Sequence, residues 1–230
     1  MLLESAEIEA VLLSLRVAVT ATTASLPVAV AVAWCLARLR FPGRALLDAV
    51  VHMPLVMPPV VIGYLLLVVL GTRGPVGGWL YETFGLRLIF TTEGAAVAAA
   101  VMGFPLMVRA IRQALEAVDP GLEFAARTLG AGRFDVFRSV TLPLMLPGIL
   151  AGAIVAFAAA LGEFGATITF VGNVDGETRT LPLAIYTATQ SPDGDAVAAR
   201  LVTISFALAL GGLVLAEAVS LRVRRLLGAA

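Results

Sequence analysis

The sequence predicts an all-α integral membrane protein: five transmembrane helices in a single membrane domain over residues 1–230. Three observations predict it. Hydrophobic residues make up 60% of the chain and charged residues only 14%, with a mean hydropathy of +0.97, whereas a soluble domain carries roughly a quarter charged residues. Apolar runs recur at about 10–36, 46–70, 94–115, 143–162 and 197–221, each near the ~20 residues a helix needs to cross a bilayer. The ionisable side chains gather toward the ends of these runs and leave their middles nearly bare. Lipid cannot hydrogen-bond an exposed backbone, so such runs must be helices. Together they use up most of the chain and leave no room for a soluble domain.

The first run is a retained helix and not a secretory signal, because Glu4, Glu7 and Glu9 stand where a cationic region belongs and the run is too long. Orientation follows from arginine, which supplies all the positive charge since the chain has no lysine. Arg38, Arg40 and Arg44 follow the first run; Arg109, Arg112, Arg127, Arg133 and Arg138 end or follow the third; Arg222, Arg224 and Arg225 follow the last. With alternate crossings these regions share one side, and the positive-inside bias makes that side cytoplasmic. The N-terminus is then outside and the C-terminus inside. Cys35 is the single cysteine and excludes an intramolecular disulfide.

The second run carries "HMPLVMPPVVIG", in which Pro54, Pro58 and Pro59 each remove a backbone donor from a membrane helix. A bent helix is expected, serving either as a hinge or as static packing. His52, the only histidine, is either packed and hydrogen-bonded or lines a path. After the third run and the polar stretch that follows it, the fourth carries Gly148 and Gly152, a GxxxG pair that suits close helix packing. It continues into "LGEFGATITFVGN", where Glu163 is expected near the outer interface, as a satisfied hydrogen-bonding group or as part of an outer gate. Thr167 in the same stretch is the remaining path candidate. No cluster of ligands suggests a metal and no constellation suggests catalysis. A GxxxxGK[ST] phosphate loop is impossible without lysine, so ATP-driven work would need another chain.

That need gives meaning to the polar stretch at 119–143. Asp119 and Pro120 form a helix start and Gly130 a stop, giving a helix of about 120–129 with Ala125, Ala126 and Leu129 sharing one side. A second short helix, about 133–140, is expected to set Phe134, Phe137 and Val140 on one side and Arg133 and Arg138 toward the other, before Leu142 and Pro143 open the next membrane helix. Its apolar face either meets a partner or dips into the bilayer interface.

"FAARTLGAGRFDVFRSVTLP" resembles the EAA signature of bacterial ABC-importer permeases, with Ala125, Ala126, Gly130, Val140, Leu142 and Pro143 matching. The departure is at the first position, where Phe124 stands and Glu123 lies one residue earlier. "FPGRALLDAVVHMPLVMPPVVIGYLLLVVLG", "GFPLMVRAIRQALE" and "LGEFGATITFVGNVDGETRTLPLAIYTATQSPDGD" extend the likeness over nearly the whole chain, to the oxyanion permeases and among them the molybdate permeases. Sulfate and thiosulfate permeases tend to be longer at the N-terminus, so a chain opening almost directly on its first helix favours molybdate.

The resemblance implies a type I ABC-importer permease fold in the bacterial inner membrane, a second permease copy, two ATP-binding cassette subunits that hold ATP and magnesium, and no cofactor on this chain. It also implies a periplasmic molybdate-binding protein docking around 72–93 and 172–196, and no nucleic-acid partner. In it Glu123, Ala125, Ala126, Gly130, Arg133, Phe134, Phe137 and Arg138 form the ATPase-coupling segment, with Phe134 and Phe137 as anchors and the two arginines at the rim. The alternatives are a tungstate, sulfate or thiosulfate permease, or a secondary anion transporter acting alone.

Overall fold

The computed structural model describes residues 4–226, and the side chains of Glu217, Arg224 and Arg225 lie outside the described residues. Its long helices are α1 (Ser5–Arg38), α5 (Thr92–Glu116), α8 (Leu142–Leu161) and α11 (Asp195–Leu226). Between them run α2 (Arg44–Val56), α3 (Pro59–Leu70), α4 (Pro75–Phe84), α6 (Pro120–Thr128), α7 (Arg133–Val136), α9 (Gly165–Val171) and α10 (Leu181–Thr189). By length and apolarity four spans qualify, Ser5–Arg38, Thr92–Glu116, Arg133–Leu161 and Asp195–Gly212, and α2 with α3 makes a fifth if that bent pair counts as one.

The second run departs from a single bent helix. It is two helices turned 118° from each other. Pro58 restricts the residue before it to extended backbone, and Met57 stands at φ −80°, ψ 144°. Pro58 then caps α3 and Pro59 takes its first turn, where a missing N–H costs nothing.

A second departure lies at 133–143. The expected short helix and the following membrane helix are one continuous element, joined by a π turn at Phe137–Thr141. Pro143 has no N–H for the usual backbone bond, and the Leu142 N–H reaches back five residues to the Phe137 carbonyl. The wider turn carries the chain past the proline without a break. Short helices α4 and α10 lie within 72–93 and 172–196, and the stretch expected to continue the fourth run breaks after Leu161 and resumes as the separate helix α9.

Small residues bring α5 and α8 together. A Cβ built on Gly148 would fall on the Ala114 Cβ, and one on Gly152 would stand 3.1 Å from the Met107 carbonyl. Close backbone approach of this kind is how helices associate where the solvent is as apolar as the side chains. Around the seam, Leu36, Met107, Ile111, Leu115 and Met145 form a core at the arginine-bearing end, while Val17, Ala18, Ala98, Phe170 and Val171 form another at the far end. There Glu7, 4% exposed, meets Arg200 at 2.8 Å and ties α1 to α11.

Candidate functional site

The site is built around α6. Asp119 caps it, its carboxylate accepting the Gly121 N–H at 2.8 Å. At the other end Gly130 has φ +90° with no atom within 4 Å of a built Cβ. The Gly130 N–H donates to the Arg127 carbonyl at 3.0 Å and the Ala131 N–H to the Ala126 carbonyl at 3.1 Å. Those paired bonds are a Schellman stop, and the left-handed backbone it needs is why glycine sits there.

No residue of α6 is buried. Ala125 is exposed and Ala126 half-buried, and Leu122, Phe124 and Leu129 all face outward. Glu123 turns inward. Its Oε1 accepts from Arg38 Nη2 at 2.9 Å and from the Thr141 hydroxyl at 2.8 Å, with the side chain 13% exposed. A carboxylate shared by a guanidinium and a hydroxyl makes charge-assisted bonds of the stronger kind.

The two phenylalanines expected on one face are separated. Phe134 is 72% exposed. Phe137 instead packs on the core and meets the Trp34 ring edge-on, with centroids 5.2 Å apart. The inward face is set by Val136, Phe137 and the buried Thr141, and the π turn brings Thr141 onto it. Phe137 is therefore an internal contact and not a free anchor. Arg133 and Arg138 are exposed.

The path candidates fall into two groups on either side of the α2–α3 break. In one, Pro59 of α3 packs against α9: a Cβ on Gly165 would lie 2.8 Å from the Pro59 Cβ, and one on Gly63 only 2.6 Å from the Ala166 carbonyl. Glu163 sits between α8 and α9, buried, accepting the Ala166 N–H at 2.7 Å. It caps α9, while Thr167 is buried one turn further on. Pro58 stands exposed at the break.

In the other group, His52 Nδ1 lies 2.9 Å from the Asp48 carbonyl and 3.2 Å from its carboxylate. Asp48 in turn meets Arg112 at 3.2 Å, and Arg112 meets Glu116 at 2.8 Å. These side chains, with Arg109 and Gln113, line an open cavity of about 280 Å³ between α2 and α5. Pro54 lines a separate, mainly apolar groove with Val28, Val51 and Phe104. Sequence reasoning missed Arg38, Trp34, Asp48 and Arg112 as partners in these groups. The i,i+4 spacing of Asp48 with His52 and of Arg112 with Glu116 was a readable signal; the meeting of Arg38 with Glu123, 85 residues apart, was not.

Residues 25–225 match the family described as binding-protein-dependent transport system inner membrane component. The chain is 60% identical over 217 residues to the molybdenum transport system permease protein ModB of Escherichia coli (strain K12), covering 94% of this chain and 95% of that one. It is 53% identical to ModB of Haemophilus influenzae, over 96% and 97% of the two chains. The sulfate transport system permease protein CysT of Escherichia coli is 38% identical, over 76% of this chain and 64% of that protein. Among solved structures, a bacterial ABC transporter involved in the import of the acidic polysaccharide alginate aligns with a TM-score of 0.76 at 18% identity, over 96% of this chain and 80% of that one. An all-helical chain with four or five apolar spans and a capped, exposed helix between two of them thus belongs to the family of inner-membrane components of binding-protein-dependent transport systems.

Proposed function

We propose that this chain is the membrane-spanning permease subunit of an ATP-driven molybdate importer. The observation that carries the reading is the 60% identity to a molybdenum permease over nearly the full length of both chains. The exposed apolar side chains of Leu122, Phe124, Leu129 and Phe134 fit it, since they need a partner and this chain has no phosphate loop of its own. Two copies would pair about a central path, each presenting α6 and α7 to one ATP-binding subunit in the cytoplasm. The N-terminus would then be outside and the C-terminus inside. A periplasmic binding protein would deliver the oxyanion to the face around 72–93 and 172–196, which carries α4 and α10. No cofactor is needed on this chain, because ATP and magnesium belong to the partner.

The division of labour has a physical rationale. Near the middle of the spans few ionisable groups are available to hold a dianion, so selectivity can reside in the soluble protein while the permease supplies a weakly binding route. Closure of the ATPases would move α6 and its attachments as a body and switch the route from inward- to outward-facing. Glu163, Thr167, Pro58 and Pro59 would border the outer closure, and His52 and Pro54 the inner approach.

The test is uptake by the complex of permease, ATPase and binding protein in vesicles, with molybdate, tungstate and sulfate in competition. ATP-dependent uptake that molybdate displaces best is the expected result. Uptake by the permease alone, driven by an ion gradient, would sink the reading, and sulfate winning the competition would move it to the sulfate permeases, which are 38% identical.

A further inference from the structure

Helix α6 is held in an unusual way for an element expected to carry force. None of its residues is buried, and its packing partners are α7 and the π turn. Apolar burial therefore does not fix it to the membrane helices. The contact that reaches a distant part of the chain is Glu123, whose single oxygen Oε1 is shared by Arg38, the last residue of α1, and by Thr141, the last residue of the π turn.

Arg38 is prepared for that contact. Its guanidinium carbon lies 6.0 Å from the centre of the Trp34 ring, and Trp34 is itself braced edge-on by Phe137. Its Nε is enclosed and has no hydrogen-bond partner, so the carboxylate of Glu123 is the anion that balances this cation. The cation also sits at the carboxyl end of α1, where the helix dipole favours it. With side chains 26% and 13% exposed, the pair is shielded enough to keep its geometry, unlike the mobile pairs of an open surface.

From these contacts we infer that Arg38 is a positioning residue for energy coupling: it pins α6 through Glu123, so that a displacement of α6 is delivered to α1 and α8 together. Glu123 then points into the permease, and Phe124, 70% exposed at the position where the signature has its glutamate, is left to face the ATPase. This inference rests on the permease reading above.

The test uses the reconstituted complex with Arg38→Ala, Glu123→Ala and the two changes together. Each single variant should keep its ATPase subunits yet lose uptake roughly tenfold or more, a coupling of the usual size between separated sites. ATP hydrolysis stimulated by loaded binding protein should fall less than uptake does, so that less oxyanion enters per ATP hydrolysed. The double variant should be no worse than the more impaired single one, to within about threefold, because either change already breaks the pair. A double variant whose loss is the product of the two single losses overturns the pin. Single variants with parental uptake, beside a parent complex that shows ATP-driven uptake, overturn it while leaving the permease reading intact.

Discussion

The separation of Phe134 from Phe137 gives the sharpest prediction. Replacing each by alanine should produce two different defects. Phe134 is 72% exposed, so most of its ring is available to a partner. Burying a whole phenylalanine side chain is worth about 1.5–3 kcal/mol, and some seven-tenths of that is about 1–2 kcal/mol. Phe134→Ala should therefore weaken binding of the ATPase subunit by roughly 5- to 30-fold, while the permease alone unfolds as before. Phe137 is half-buried and meets Trp34 edge-on at 5.2 Å. A fully enclosed phenylalanine costs about 3–5 kcal/mol when cut to alanine; partial enclosure brings that to about 2–3 kcal/mol, charged to the permease itself. Phe137→Asp adds a carboxylate beside that core, so it should fail at insertion or folding before coupling can be measured. The assays are titration of the ATPase subunit onto permease in nanodiscs and unfolding of the permease in mild detergent. A stable Phe137→Ala permease with weakened docking, or an unstable Phe134→Ala permease with normal docking, would refute the assignment.

Other substitutions probe the backbone. Gly130→Val places a β-branched residue at φ +90° with open space around it, so the cost is backbone strain alone, about 1–3 kcal/mol; uptake should fall while membrane abundance holds, with Gly130→Asn milder. Glu163→Ala removes the acceptor for the Ala166 N–H and should lower stability by about 0.5–2 kcal/mol, whereas Glu163→Gln keeps an acceptor and should lose less; equal losses in unfolding measurements would count against the capping role. Gly63→Ala would press a methyl to 2.6 Å from the Ala166 carbonyl, and overpacking of that kind costs about 1–3 kcal/mol; wild-type stability would mean that α3 and α9 are not in fixed contact. Asp48→Asn weakens its pair with Arg112, but the Asp48 side chain is 40% exposed, so the change in stability should stay under about 1 kcal/mol.

Much of the site was legible because its signals are local. Asp119, Pro120 and Gly130 announce a helix by the chemistry of its ends, and the structure gives Pro120–Thr128 with both caps formed. Pro54, Pro58 and Pro59 announced a disturbance, yet not its size: three prolines are compatible with a kink, and the 118° turn depends on where α3 finds a surface, which is the Gly63 contact with α9. Phe137 lies one turn from Phe134 in ordinary helical register, its N–H bonding the Arg133 carbonyl, and only tertiary packing shows that Trp34 covers one ring and leaves the other exposed. Arg38 carried no local signal at all. Its partner is 85 residues away, and only tertiary structure brings a helix end and a coupling helix to one carboxylate.

The glycine-lined seam between α5 and α8 has a mechanical consequence. Where Gly148 meets Ala114 and Gly152 meets the Met107 carbonyl, backbone lies almost on backbone, and neither helix can roll without a methyl climbing over a peptide group. The two helices are keyed like the teeth of a spline, which transmits thrust and resists torsion. A push entering at Thr141 would thus travel the length of α8, twenty residues and about 30 Å, and arrive at Glu163 with little lost to bending. Compliance is left to the α2–α3 elbow, where Met57 and Pro58 interrupt the helix.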